Sequence, residues 1–140
     1  MMILDTNVVS ETQRPVPDEN VMAFLDRCNP TETYITAITV AEILYGIELL
    51  PEGARKRALG DAAANLFERT FADRILPFDA QAAGRYARHA AAARGAGQAV
   101  HFADGQIAAI ALVHDGASVA TRDTSPFKAM GVATVDPWTA

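Results

Sequence analysis

Near its start the chain runs Met2-Ile3-Leu4 straight into Asp5-Thr6-Asn7. Consecutive apolar residues of this kind read as a strand buried on both faces, as in a parallel sheet. In an open parallel sheet the ligand site lies just beyond the carboxyl ends of the strands. Asp5 is the first polar residue past such an end, so its carboxylate is a candidate site group. The competing reading is local, because Asp at a strand–helix junction commonly caps the helix that follows. Acids elsewhere in the chain decide between the two.

The remaining segments alternate between strand and helix. A short helix follows Asn7, and Arg14-Pro15-Val16-Pro17 forms a loop because proline removes donors and restricts its neighbour. Asp18 caps a helix whose apolar residues Val21, Phe24, Leu25 and Cys28 recur at helical spacing, and Asn29-Pro30 ends it. Tyr34-Ile35-Thr36 is a second strand. Residues 39–50 form a helix with the stripe Val40, Ile43, Leu44, Ile47 and Leu50. Gly46 costs that helix about 1 kcal/mol relative to alanine, which points to close approach by another backbone or chain. A long helix spans about residues 54–71, with Arg55, Lys56 and Arg57 on a solvated face within reach of phosphates. The third strand covers residues 74–78, and Pro77 places it at an edge. Asp79 caps a helix to about residue 94 that carries Arg85 and Arg88 on one face as candidate phosphate contacts. From Ile107 the chain is apolar nearly all round, a buried helix. Ser118-Val119-Ala120-Thr121 and Val132-Ala133-Thr134-Val135 are the fourth and fifth strands, and Trp138 packs the tail onto the body.

Three more acids occupy informative places. Glu42 borders the apolar stripe of its helix. Asp104 lies at the start of the buried helix, where free amides and the dipole favour an anion; a simple cap is the alternative there. Asp123 follows the fourth strand as Asp5 follows the first. Right-handed crossovers then give a mainly parallel sheet with helices on both faces. If the first and fourth strands flank the topological switch point, Asp5 and Asp123 are neighbours. Glu42 and Asp104 project from helices into the same crevice. Four unneutralised carboxylates would raise one another's pKa values. A hard divalent cation with oxygen ligands, Mg²⁺ or Mn²⁺, resolves that conflict.

Charge and composition narrow the classes. Twelve Lys plus Arg stand against seventeen Asp plus Glu, a formal charge of -5. That argues against a protein that merely coats nucleic acid, but not against a nuclease, since a bound metal adds its own charge. Cys28 is the only cysteine, so no internal disulfide forms; a reducing cytoplasm fits, with the thiol packed. No apolar run approaches the ~20 residues of a membrane span, and no signal peptide is evident. The length suits one domain, residues 1–140. His89, His101 and His114 lack metal-ligand spacing, which disfavours a metal-free nuclease working through two histidines. His101, three residues before Asp104, is a candidate substrate contact. There is no glycine-rich phosphate loop and no GxSxG elbow.

At the four acids the chain resembles the PIN-domain family, and within it the VapC-like toxins of bacterial toxin–antitoxin systems, most nearly the FitB branch. The matching pieces run from residues 3–11 through Val40-Ala41-Glu42 with Gly46. They continue with Ala103-Asp104-Gly105-Gln106-Ile107-Ala108-Ala109 and Ala120-Thr121-Arg122-Asp123 with Phe127. Leu76-Pro77-Phe78-Asp79 and Asp136-Pro137-Trp138 extend the likeness over essentially the whole chain. The resemblance implies a three-layer α/β/α fold around a mainly parallel sheet of about five strands. It implies a metal-dependent endoribonuclease toxin, homodimeric and blocked by a cognate antitoxin that sends an arginine among the carboxylates. Carried over, Asp5, Glu42, Asp104 and Asp123 form the catalytic acidic site, and Asp5 and Asp104 are the Mg²⁺ ligands, with Mn²⁺ as a substitute. Thr121 and Asn7 are candidates to orient the carboxylates. Two other classes stay open: a phosphoryl-accepting signalling domain, for which Lys128 is the nearest lysine, and a partner-binding relative without catalysis.

Overall fold

β1 (Met2–Leu4) lies at the centre of a five-stranded sheet in the computed structural model, which describes residues 1–140. On one side it pairs with β2 (Thr33–Thr36), which pairs with the edge strand β3 (Ile75–Leu76). On the other it pairs with β4 (Ser118–Ala120), which pairs with β5 (Ala133–Val135). Every pairing is parallel, so each of the first four strands is followed by a helical crossover. The crossovers are α1 (Thr6–Thr12) with α2 (Glu19–Arg27), α3 (Ala37–Glu48) with α4 (Ala54–Asn65), α5 (Ala80–Gly95) with α6 (Phe102–Val113), and the short α7 (Ser125–Ala129).

The strands are short, yet each contributes to two cores because successive side chains face opposite ways. Ile3 and Val119, fully buried, join Ile107, Ile110, Phe127 and Met130 on one face. Leu4, Ile35 and Ala120 join Val8, Val9, Val21, Phe24, Phe67 and Phe71 on the other. The result is three layers, helix–sheet–helix. The buried helix expected from residue 107 is α6, where Ile107, Ala108, Ala109, Ile110 and Ala111 are all inaccessible. Its N-terminal half sits so close to α5 that a Cβ on Gly105 would stand 2.7 Å from Tyr86 Cε2.

Several local expectations change. The third helix begins at Ala37, because the buried Thr36 caps it through a bond from the Thr39 amide. Its apolar stripe is only partly covered, with Leu44 exposed, and Tyr45 and Leu49 outside the stripe are exposed as well. No residue of the chain approaches Gly46, so the close contact expected there does not occur within this chain. The long helix from residue 54 turns into a single π turn, Leu66–Thr70, that buries Phe67. The third strand is shortened to Ile75–Leu76 and lies at the edge, as Pro77 requires.

Candidate active site

The strand order places the switch point between β1 and β4, since the chain leaves β1 toward β2 and returns beyond it. The ladder extends past β1 through the Asp5 amide, which donates to the Ala120 carbonyl at 2.9 Å. That bond sets Asp5 beside Thr121, 116 residues away in sequence. The Thr121 hydroxyl donates to Asp5 Oδ2 at 2.7 Å, and the Thr6 amide donates to Oδ1 at 2.7 Å. Asp5 therefore caps α1, as the local reading had it, while its other oxygen is tied across the switch point to Thr121.

Asp5 is 4% exposed. Burial pushes its carboxyl up to about 6, against the two hydrogen bonds that favour the charged form; repulsion from Asp104 and Glu42 adds to the rise. Asp104, in the first turn of α6, is also raised, first by burial and then by Asp123 and Glu42, with His101 opposing. Its carboxylate caps nothing, so the capping alternative does not apply. The charge of Asp104 thus bears on Asp5, and those of Glu42 and Asp123 bear on Asp104.

Glu42 lies on the exposed surface of α3, yet it is held in place. Thr6 Oγ1 donates to Glu42 Oε1 at 2.7 Å and contacts Thr39 Oγ1 at 3.0 Å, one helical turn before Glu42. Having given its proton to Glu42, Thr6 accepts from Thr39. The Asp123 side chain is exposed, but its backbone amide donates to Thr121 Oγ1 at 3.1 Å. Asn7 Nδ2 lies 3.4 Å from the same oxygen. Thr121 consequently ties Asp5, Asn7 and Asp123 together. Thr6 and Thr39, which hold Glu42 in place, are contacts that sequence reasoning passed over; the only signal was a hydroxyl directly after Asp5.

The donor set is all oxygen, which suits a hard cation. Buried, mutually repelling carboxylates with raised pKa values are the arrangement a divalent cation relieves. No three acidic, histidine or cysteine side chains are grouped so as to hold a metal ion between them. A cation here would have one or two carboxylates and several waters as ligands, a set that Mg²⁺ accepts. The proposed basic contacts fare differently. Arg85 donates to the Leu112 carbonyl at 2.9 Å and so braces the far end of α6. Lys56 donates to the Glu48 carbonyl and pairs with Glu52, securing the end of α3. Arg88 and Arg57 remain exposed.

The PIN domain family profile matches residues 2–132. The chain belongs to the PIN-domain family. Toxin FitB of Neisseria gonorrhoeae is 45% identical over 138 residues, 99% of either chain. VapC ribonuclease Y4jK of Sinorhizobium fredii is 42% identical over 138 residues, 99% of this chain and 98% of the relative. The crystal structure of FitAcB from Neisseria gonorrhoeae superposes with a TM-score of 0.94 at 44% identity, each chain covered in full. This PIN domain therefore has the wholly parallel, three-layer architecture that its alternating strands and helices imply.

Proposed function

We propose that this PIN domain is a metal-dependent endoribonuclease, the toxin of a toxin–antitoxin pair, acting in the cytoplasm through Asp5, Glu42, Asp104 and Asp123. The observation that carries the reading is that four acids from separate segments meet at the switch point: Thr6 bonds both Asp5 and Glu42, and Asp104 and Asp123 line one cleft. The ribonuclease and toxin names of relatives above 40% identity support it.

Asp5 and Asp104 are the residues that would hold Mg²⁺, or Mn²⁺ in its place. When bound, the cation supplies a water of lowered pKa and positive charge against the phosphate. Thr121 and the Thr6 amide fix both oxygens of Asp5, and Thr6 fixes Glu42, so these carboxylates keep their positions as RNA arrives. Glu42 and Asp123, both exposed, are left with carboxylate oxygens free to accept from the metal's waters. With water as nucleophile, the 2′-OH takes no part and the 3′ oxygen departs. The products then carry a 5′-phosphate and a free 3′-OH.

Control is by a partner protein. A cleft of about 300 Å³ lined by Ile43, Ile47, Leu50 and Leu59 opens beside Thr6 and Glu42. It offers an apolar seat for an antitoxin helix whose arginine reaches the acids, where a guanidinium pairs with carboxylates. The exposed Leu44 and Tyr45 on α3, with Leu49 at its C-cap, leave an apolar face for a second copy in a homodimer.

The test is cleavage of single-stranded RNA by the purified chain with Mg²⁺ and with EDTA. Cleavage is expected only with the metal, and Asp5→Asn or Asp104→Asn should abolish it while circular dichroism stays unchanged. Full activity of either variant would overturn the assignment of the acids. A stable acyl-phosphate without RNA cleavage would favour the signalling alternative.

A further inference from the structure

One cleft of the molecule runs from two of the acids to residues that the proposed hydrolysis does not use. Its volume is about 320 Å³, and Asp104 and Asp123 form one wall. The opposite walls come from the segment before α6 and from α7. Gln98, His101 and Ser125 present an amide, an imidazole and a hydroxyl there. All three are exposed, and none is engaged by another side chain. His101 stands at the N-cap position of α6, where Ser, Thr, Asp or Asn normally satisfies the free amides, yet its imidazole makes no capping bond. Between these groups lie the apolar surfaces of Val100 and Pro126.

Resting on the ribonuclease reading, we infer that this cleft seats one unpaired base of the RNA next to the scissile phosphate, with Gln98, His101 and Ser125 reading its edge. The size is at the low end for ligand pockets and admits one nucleotide unit, not a duplex. The polarity favours a base over a phosphate: a wall of two carboxylates repels an anion, whereas an uncharged base meets apolar surface on its faces. Bases of single-stranded RNA are recognised in this way, splayed out and hydrogen-bonded along their edges. The amide and imidazole supply both donors and acceptors. The place in the fold supports the assignment as well. A strand whose scissile phosphate lies at Asp5 and Asp104 must lay a neighbouring nucleotide across Asp104, where the cleft begins.

The test uses the full chain with Ca²⁺ in place of Mg²⁺, so that the acids are neutralised by a cation that activates water poorly, with a short randomised single-stranded RNA pool whose bound members are sequenced. The same pool with Mg²⁺ locates the cut. The wild type should enrich a base identity at one position flanking the cut. Gln98→Ala and His101→Ala should each flatten that preference about tenfold and leave other positions unchanged. Both residues are exposed, so unfolding temperatures should hold. A uniform loss across all sequences, as from a phosphate contact, overturns the inference; so does an unchanged preference, or a wild type that enriches none. A wild type that binds with this preference but cuts no RNA with Mg²⁺ refutes the nuclease reading and leaves the base site standing.

Discussion

Replacing Asp5 by asparagine should make the metal-free protein more stable at neutral pH, although it removes a group at the centre of the site. Asp5 holds its proton up to about pH 6 in the folded chain, against 3.8 ordinarily. A carboxyl whose folded pKa is raised contributes stability below its unfolded pKa. That contribution is lost as pH rises through the folded value. The difference corresponds to roughly 3 kcal/mol above pH 7. Asparagine keeps the shape without the charge. Its carbonyl accepts from the Thr6 amide, and its NH₂ donates to Thr121 Oγ1. The Thr121 proton then turns to the Asp123 carbonyl, 3.3 Å away. The raised value is already net of the bonds to the charged form, so the variant should gain up to roughly 3 kcal/mol above pH 7 and lose that advantage below pH 4. Urea unfolding followed by circular dichroism between those limits, in EDTA, reads it directly. Millimolar Mg²⁺ should then stabilise the wild type and not the variant, by mass action. Parallel pH profiles for the two proteins, with equal responses to Mg²⁺, would refute the reasoning about the buried carboxylate.

Three further outcomes follow from the same geometry. Thr121→Val removes the hydroxyl that favours the charged form of Asp5, so Asp5 should titrate higher still; the acid limb of the pH–rate profile should move alkaline and activity at pH 7 fall about tenfold or more. Gly105→Ala should destabilise by about 1–2 kcal/mol in thermal unfolding, because the clash with Tyr86 exceeds alanine's advantage in a helix. Mass spectrometry of RNA fragments should find 5′-phosphate and 3′-hydroxyl ends; a 2′,3′-cyclic phosphate would show that the four carboxylates do not perform the hydrolysis assigned to them.

The sequence by itself determined what depends on neighbours along the chain. An uninterrupted apolar run marks a strand buried on both faces, and the first acid after it stands at the strand's carboxyl end, so Asp5 and Asp123 were legible. Asp18 and Asp79 were legible as caps for the same local reason, and α6 as a buried helix from its composition alone. Tertiary structure decided everything that depends on strand order. The sequence left open whether Asp104 was a cap or a site group, because both readings place an acid in the first turn; only packing of α6 beside the switch point put it among the other acids. Glu42 lies on an exposed helix surface, and its tie to Thr6 spans two crossovers that no local pattern encodes. Arg85 and Arg88 share a helix face, but docking of α5 on α6 spent Arg85 on the Leu112 carbonyl. Gly46 signalled a close neighbour, and the fold of one chain supplies none. Periodicity records which side of an element is apolar; which element lies against it is set by pairing across the sheet, where Asp5 and Thr121 meet only because β4 inserts beside β1.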